Sequence, residues 1–331
     1  MSNELSIFEP RVLNGVIREF EGPEQMVGHQ LVGTPEHDPA PTWEYDIERE
    51  ARGAQLSHNS YGSEARIVDQ LPYGHLEGGY AYLRDKKQFN PTTLRWLREA
   101  GKSQLARGQA ERRVTKELQA LRMEHLRSEE IAIWAMLTGS WAYTLMNGAT
   151  VTVNYRLPAA HTPTVGTDWG AGGDDPVGDL FAWKRVVSRA SGFPIRQAWL
   201  NGATFETFYN LAEVSANLSD VQRDKYRNEG MVPRFLGIDW FEYDGGYQNA
   251  AGTFVPYIPD ERIIFIAPGG TDNLSMNYGP SADLGAPEMH TGPFTKSWDE
   301  EDPSGRQFLL EQNYMPFLKK PFQILTADTT A

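Results

Sequence analysis

The sequence predicts an α+β protein, and three observations carry that reading. The run from Gln104 to Gly139 has the composition of one very long helix. The stretch from Trp43 to Phe89 alternates apolar and polar residues as extended strands do. The block from about 176 to 290 interleaves short helical and strand patterns. With 331 residues, 40% of them hydrophobic, the chain can bury a sizeable core as one large domain or two smaller ones.

The long helix reads QLARGQAERRVTKELQALRMEHLRSEEIAIWAMLTG, dominated by residues that lose little rotamer freedom in a helix, with no proline. Ser103 suits its N-cap and Gly139 its stop, so it should reach about 50 Å at 1.5 Å per residue. Val114, Leu118, Leu121, Met123 and Leu126 make a narrow apolar stripe in the first part, enough to lie on one neighbour. The run IAIWAML, Ile131 to Leu137, is apolar almost all round and should be buried. Such a helix acts as a beam; a long amphipathic helix in an ordinary enzyme would read the same way.

Before it, Met1 to about Pro41 reads as an arm. Phe8, Val12, Leu13, Val16, Ile17 and Phe20 sit on a short helical pattern that ends at Gly22-Pro23, followed by TPEHDPAP. From Trp43 to Phe89 we expect two strands joined by a long excursion, with its bend near Gly74 to Gly79, and Asn90-Pro91 closes it. An insertion this long is usually functional or ordered by a partner. A short helix should cover Thr92 to Arg98.

After Gly139, ATVTVNYRL is a strand candidate. Asp175 followed by Pro176 starts a helix, DLFAWKRVVSRA, that stops at Gly192. IRQAWLNG then reads as a strand, FETFYNLAEV as one helix, and SDVQRDKYRNEG as another capped by Ser219. FLGIDWFEY, TFVPYI and RIIFIA read as strands in close succession, joined by turns at Asp244-Gly245-Gly246 and Pro259-Asp260, in a mainly antiparallel sheet. The tail returns as one or two strands, restricted by Pro316 and Pro321.

Charge and chemistry exclude more than they assign. A net charge of −13 argues against holding nucleic acid by neutralising phosphates. There is no cysteine, which removes disulfides, thiolate metal sites and cysteine nucleophiles. The first 30 residues carry no secretion pattern, and no apolar run approaches 18 residues, so a soluble protein is expected. The seven histidines form no metal-ligand spacing. Gly166 to Gly173 lacks phosphate-loop order, and no GxSxG elbow is present. Asp174, Asp175 and Asp179 could be imagined as metal ligands, but acidic residues at a helix start cap and complement it without metal. Nine tryptophans invite a sugar-binding reading, although most aromatics fall on core positions such as Trp134, Trp183 and Phe265. We expect no catalytic, cofactor or metal residues.

The order of parts, with four local motifs, resembles the lambda-type phage major capsid protein, the capsid protein E family. The motifs are Arg112-Arg113 with RSEEIAIWAMLTG, GTDWGAGGDDPVGDLFAW from Gly166, YIPDERIIFIAPGG from Tyr257, and the run from Asp302-Pro303 to Thr326. Asn90-Pro91 is similar to the end of that family's extended loop, and the likeness covers most of the chain from about Pro41 onward.

The resemblance implies an HK97-type capsid fold. Residues 1–42 would be an N-terminal arm and 43–90 an extended loop lying over an adjacent subunit. Residues 91–175 and 291–331 would form a peripheral domain with the spine helix, and 176–290 an axial domain. It implies a structural protein of hexamers and pentamers in an icosahedral virion shell around double-stranded DNA, assembled in the host cytoplasm. Scaffolding and portal proteins, and in some relatives a decoration protein, would be partners; no membrane is implied. Phe8, Val12 and Phe20 in the arm, and Leu71, Tyr73, Leu76 and Tyr80 near the excursion tip, are the expected inter-subunit contacts. Packing within their own subunit is the alternative for each. The competing function is a soluble α+β enzyme or sugar-binding protein that uses the Trp169 loop with Asp174 and Asp175.

Overall fold

The computed structural model describes residues 10–18, 20, 26–48, 73–89, 103–229, 234–249, 251–268, 273–302 and 304–331. In chain order these give α1 (Pro10–Arg18), α2 (Val27–Leu31), β1 (Glu36–His37), β2 (Thr42–Glu48), β3 (Tyr73–Gly79), β4 (Ala81–Phe89) and α3 (Ser103–Leu137). Next come β5 (Ser140–Thr144), β6 (Thr150–Asn154), α4 (Pro176–Ser191), β7 (Gln197–Leu200), α5 (Gly202–Asn210), α6 (Ala212–Asn217) and α7 (Asp220–Glu229). The strands that follow are β8 (Asp239–Glu242), β9 (Gly246–Gln248), β10 (Phe254–Pro256), β11 (Arg262–Ile266), β12 (Leu274–Tyr278), β13 (Phe294–Glu301), β14 (Ser304–Leu318) and β15 (Ile324–Asp328), with a 3-10 turn at Pro321–Gln323 before the last.

The chain divides into two compact units, residues 1–44, 77–131 and 275–316 in the first, and 45–76, 132–274 and 317–331 in the second. In the first, β1, β12, β14 and β13 follow one another in a sheet, and β4 also pairs with β14. β14 runs antiparallel to β13 over Phe294↔Glu311 to Glu301↔Ser304, and antiparallel to β4 over Arg306↔Phe89 to Tyr314↔Ala81. The core is built where Val114, Leu118 and Leu121 of α3 meet Phe89, Phe308 and Leu310 of the sheet and Leu13 and Ile17 of α1. Those α3 residues recur at spacings of four and three, the stripe read from the sequence.

In the second unit the sheet order is β15-β11-β7-β8. β11 is antiparallel to β15 and to β7, but β7 and β8 are parallel, so the sheet is mixed. The expected hairpin chain of three successive strands is therefore corrected. β8 returns beside β7 rather than turning into its successor, and the hairpin that follows is β9 with β10, closed around Asn249 and Gly252. The core packs Leu180, Trp183 and Val187 of α4 and Phe205 and Phe208 of α5 against Ala198, Trp240, Ile263 and Phe265.

Helix ends follow their chemistry. Asp175 accepts from Gly178 N at 2.8 Å, Pro176 opens α4, and Gly192 closes it at φ +82°. Ser219 Oγ accepts from Gln222 N while Gln222 Oε1 accepts from Ser219 N at 2.9 Å, a reciprocal cap for α7. FETFYNLAEV is two helices, not one: Leu211 is extended at φ −60°, ψ 129°, and buries its side chain between α5 and α6. Gly139 ends α3 at φ +98°, as expected, but Ser103 is the first residue of the helix rather than its cap. The expected helix at Thr92 to Arg98 lies outside the described residues. β5 and β13 lie outside the expected strands; FTKSWDEE carries few apolar residues, and SWAYT directly follows the long helix.

Candidate functional site

The surfaces that could join one copy to another are the arm and the excursion. α1 is amphipathic and lies on β13. Leu13 and Ile17 are buried, and the Asn14 side chain brackets one residue of β13, donating to Thr295 O at 3.1 Å and accepting from Thr295 N at 2.9 Å. Unpaired backbone groups of a sheet edge are thereby satisfied from within the chain. Val12 faces away and is 38% exposed. Phe20 is half-buried; Phe8 lies outside the described residues.

Further along the arm, Gly28 N and His29 N at the start of α2 donate to the Glu130 carboxylate at 2.7 and 3.1 Å. Glu130 on α3 has no exposed surface. A Cβ on Gly28 would sit 2.7 Å from Glu130 Oε2, so glycine is needed for that approach. Beside it, Glu129 accepts from Arg122 Nη1 at 2.9 Å, from Gln312 Nε2 at 2.7 Å and from the Tyr278 hydroxyl at 2.7 Å. Burial alone would raise the Glu129 carboxyl, but Arg122, with His29, Gln312 and Tyr278, holds it below the ordinary range. The Glu129 and Glu130 carboxylates of α3 are thus buried and hydrogen-bonded.

The excursion begins and ends as paired strands, β2 with β3. The expected bend at Gly74 to Gly79 is corrected to a strand. A Cβ on Gly78 would stand 2.6 Å from the Trp43 ring, so this glycine makes room for the opposite strand, whereas one on Gly74 would meet Ile47 at an ordinary 3.7 Å. Trp43, Tyr45 and Ile47 are buried; Trp43 Nε1 donates to Gly79 O at 2.8 Å, and Tyr45 stacks on Phe317 at 4.4 Å. Among the expected contact residues, Leu76 is half-buried in β3. The Tyr80 ring lies against Gly279, with its hydroxyl 3.5 Å from the Asp38 carboxylate. Leu71 and the side chain of Tyr73 lie outside the described residues.

The Trp169 loop is built inward. Trp169 is 6% exposed, stacks on Trp183 at 5.6 Å, and donates through Nε1 to Asp179 at 3.0 Å. Asp174 accepts from Gly170 N at 2.9 Å and Asp175 caps α4, so each acidic side chain is occupied by the fold. An indole in this position offers no face to a sugar. Among the described residues, no three His, Asp or Glu side chains gather as a metal site, and no helix is long and apolar enough to cross a membrane.

The family described as phage major capsid protein E matches residues 9–329. The chain belongs to that family. Solved structures agree on the fold. A prophage protein from Escherichia coli CFT073, described as a capsid protein, is 15% identical, with TM-score 0.64 and 96% of each chain covered. A phage-related protein from Bordetella bronchiseptica RB50 is 11% identical, with TM-score 0.51 over 96% of each chain. The capsid of cyanophage P-SCSP1u is 11% identical, with TM-score 0.51 over 90% of this chain and 86% of the other. No curated protein matches. The fold is the HK97-type capsid fold, and the protein is a phage major capsid protein of the virion shell. Its polar contacts hold the arm to α3 through Glu130 and to β13 through Asn14.

Proposed function

We propose that the chain is the repeating subunit of a tailed-phage head, assembling into hexamers and pentamers of an icosahedral shell around double-stranded DNA, in the host cytoplasm. The family match across residues 9–329 carries this reading. In it, residues 1–42 are the arm and 43–90 the extended loop. Residues 91–175 and 291–331 form the peripheral domain with α3 as spine, and 176–290 the axial domain. The protein is not an enzyme. Scaffolding and portal proteins, and in some shells a decoration protein, are its partners, and the net charge of −13 suits a wall that confines DNA without gripping it.

Val12, Phe20, Leu76 and Tyr80, with Phe8, Leu71 and Tyr73, are proposed to complete their burial on neighbouring copies. The exposure of Val12 and the partial exposure of Phe20, Leu76 and Tyr80 support this. Hydrogen exchange on the full chain before and after assembly tests it. Residues 1–20 and 43–90 should gain protection on assembly; equal protection in the unassembled chain would contradict the extended-loop assignment.

A further inference from the structure

The sheet of the second unit carries opposite charge at its two ends. At the end where β7 and β8 begin, Lys184, Arg185 and Arg189 of α4 line an open groove with Phe181 and Pro194. Lys184 Nζ donates to Leu236 O just before β8, and Arg196 immediately precedes β7, its carbonyl accepting from Asp239 N at 2.8 Å. None of these four cations pairs with a carboxylate among the described residues; Asp239 nearby is taken by Arg234 at 3.4 Å. Burial, and then Arg196, hold the Lys184 amine below the ordinary lysine range. Phe181 and Phe193 are 47% and 41% exposed at this end.

At the other end, Glu242 closes β8 and Asp244 follows. Gly202 N donates to Asp244 Oδ1 at 2.6 Å. A Cβ on Gly202 would come within 2.6 Å of Asp244 Oδ2 and 2.9 Å of Glu242 Oε1, so both carboxylates converge on the start of α5. Burial, and then Asp244, raise the Glu242 carboxyl. Phe241 is partly exposed, and Phe254 of the adjoining hairpin is 56% exposed. The two ends are separated by the length of β7, roughly 13 Å at 3.3 Å per residue. At physiological salt that exceeds the screening length of about 8 Å, so neither end relieves the other within one copy.

We propose that the second unit docks head to tail on a second copy of this chain, the Lys184, Arg185, Arg189 and Arg196 end of one receiving the Glu242 and Asp244 end of the next. This rests on the capsid reading and extends it. Donor and acceptor faces differ, so the contact is heterologous, and a heterologous contact that closes makes a ring. Apolar rings flank the charges on both faces, which suits a protein partner; a phosphate backbone would leave Phe181 and Phe193 in water.

The chain has no cysteine, so introduced pairs report cleanly. Particles of the full chain carrying Arg189→Cys and Glu242→Cys, oxidised and run without reductant, should give a ladder in steps of 37.2 kDa up to pentamers and hexamers. Neither single variant should give one. No ladder, a ladder that stops at dimers, or a ladder from either single variant overturns the contact. Charge reversal reads the same contact without cysteine. Arg185→Glu with Arg189→Glu, and Glu242→Lys alone, should each cut particle yield by roughly tenfold or more, and the combined variant should recover it. Reversed particles that assemble normally but lose packaged DNA would assign the basic face to DNA and overturn the proposal. A parent chain that forms no particles under any assembly condition removes the capsid reading itself, whereas intact particles without a ladder remove only this contact.

Discussion

Glu129 is the residue on which the interior of the first unit turns. Its carboxylate is buried and answered by Arg122, Gln312 and Tyr278, from α3, β14 and β12. Replacing it with alanine leaves the Arg122 guanidinium buried without its countercharge, which costs about 3–5 kcal/mol. Denaturant unfolding of Glu129→Ala should show a loss of that size.

The same carboxylates make stability depend on pH. Glu129 and Asp283 are held below their ordinary values of 4.5 and 3.8, Asp283 chiefly by Lys296 against the cost of burial. Asp85 is held below 3.8 by its hydrogen bond with His125. A folded-state value below the unfolded one means the unfolded chain binds protons first as pH falls, so the stabilisation is complete above about pH 4.5 and fades below it. Thermal melts should fall steeply below pH 4.5; a melting temperature that rises on acidification through that range would be the wrong sign.

At the scale of elements, capping and close approach set boundaries that hydrophobic pattern alone does not. Asp175→Ala removes the side-chain cap of α4 and should cost about 1 kcal/mol. The double change Asp174→Ala with Asp175→Ala should at most weaken particle formation, since both side chains serve the loop. Gly78→Val places a side chain where the Trp43 ring now lies. It should cost about 1–3 kcal/mol and open the β2–β3 pairing, seen by limited proteolysis as new cleavage within residues 42–48 and 73–79. The glycines at 74, 78 and 79 were read as a bend because glycine in isolation signals a turn. What the pattern could not show was the Trp43 ring on the opposite strand, which requires a glycine at 78. The split of FETFYNLAEV at Leu211 was hidden for a similar reason, since a buried leucine fits one continuous helix and a kink between two equally well.

At the scale of the molecule, the parts most legible in the sequence were those fixed by local chemistry: α3 by composition, α4 by its Asp-Pro start and Gly192 stop, and β11 by the run RIIFI. Long-range partnership was less legible. The bracket of Asn14 on Thr295, the Glu130 cap on α2 and the parallel return of β8 to β7 each join residues far apart in the chain, with no local pattern to announce them. Contact surfaces between copies are harder still, because an exposed Val12 looks the same whether a neighbour covers it or water does.

Assembly is therefore the direct test of the central claim. Particles formed by the full chain, alone or with the scaffolding protein of its own phage, should be weighed and imaged by cryo-electron microscopy. The account predicts a closed icosahedral shell of fivefold and sixfold rings, with a mass that is a whole multiple of the 37.2 kDa subunit. A single species that stays at 37.2 kDa at high concentration, with scaffold present and with residues 1–20 and 43–90 already protected, would contradict it.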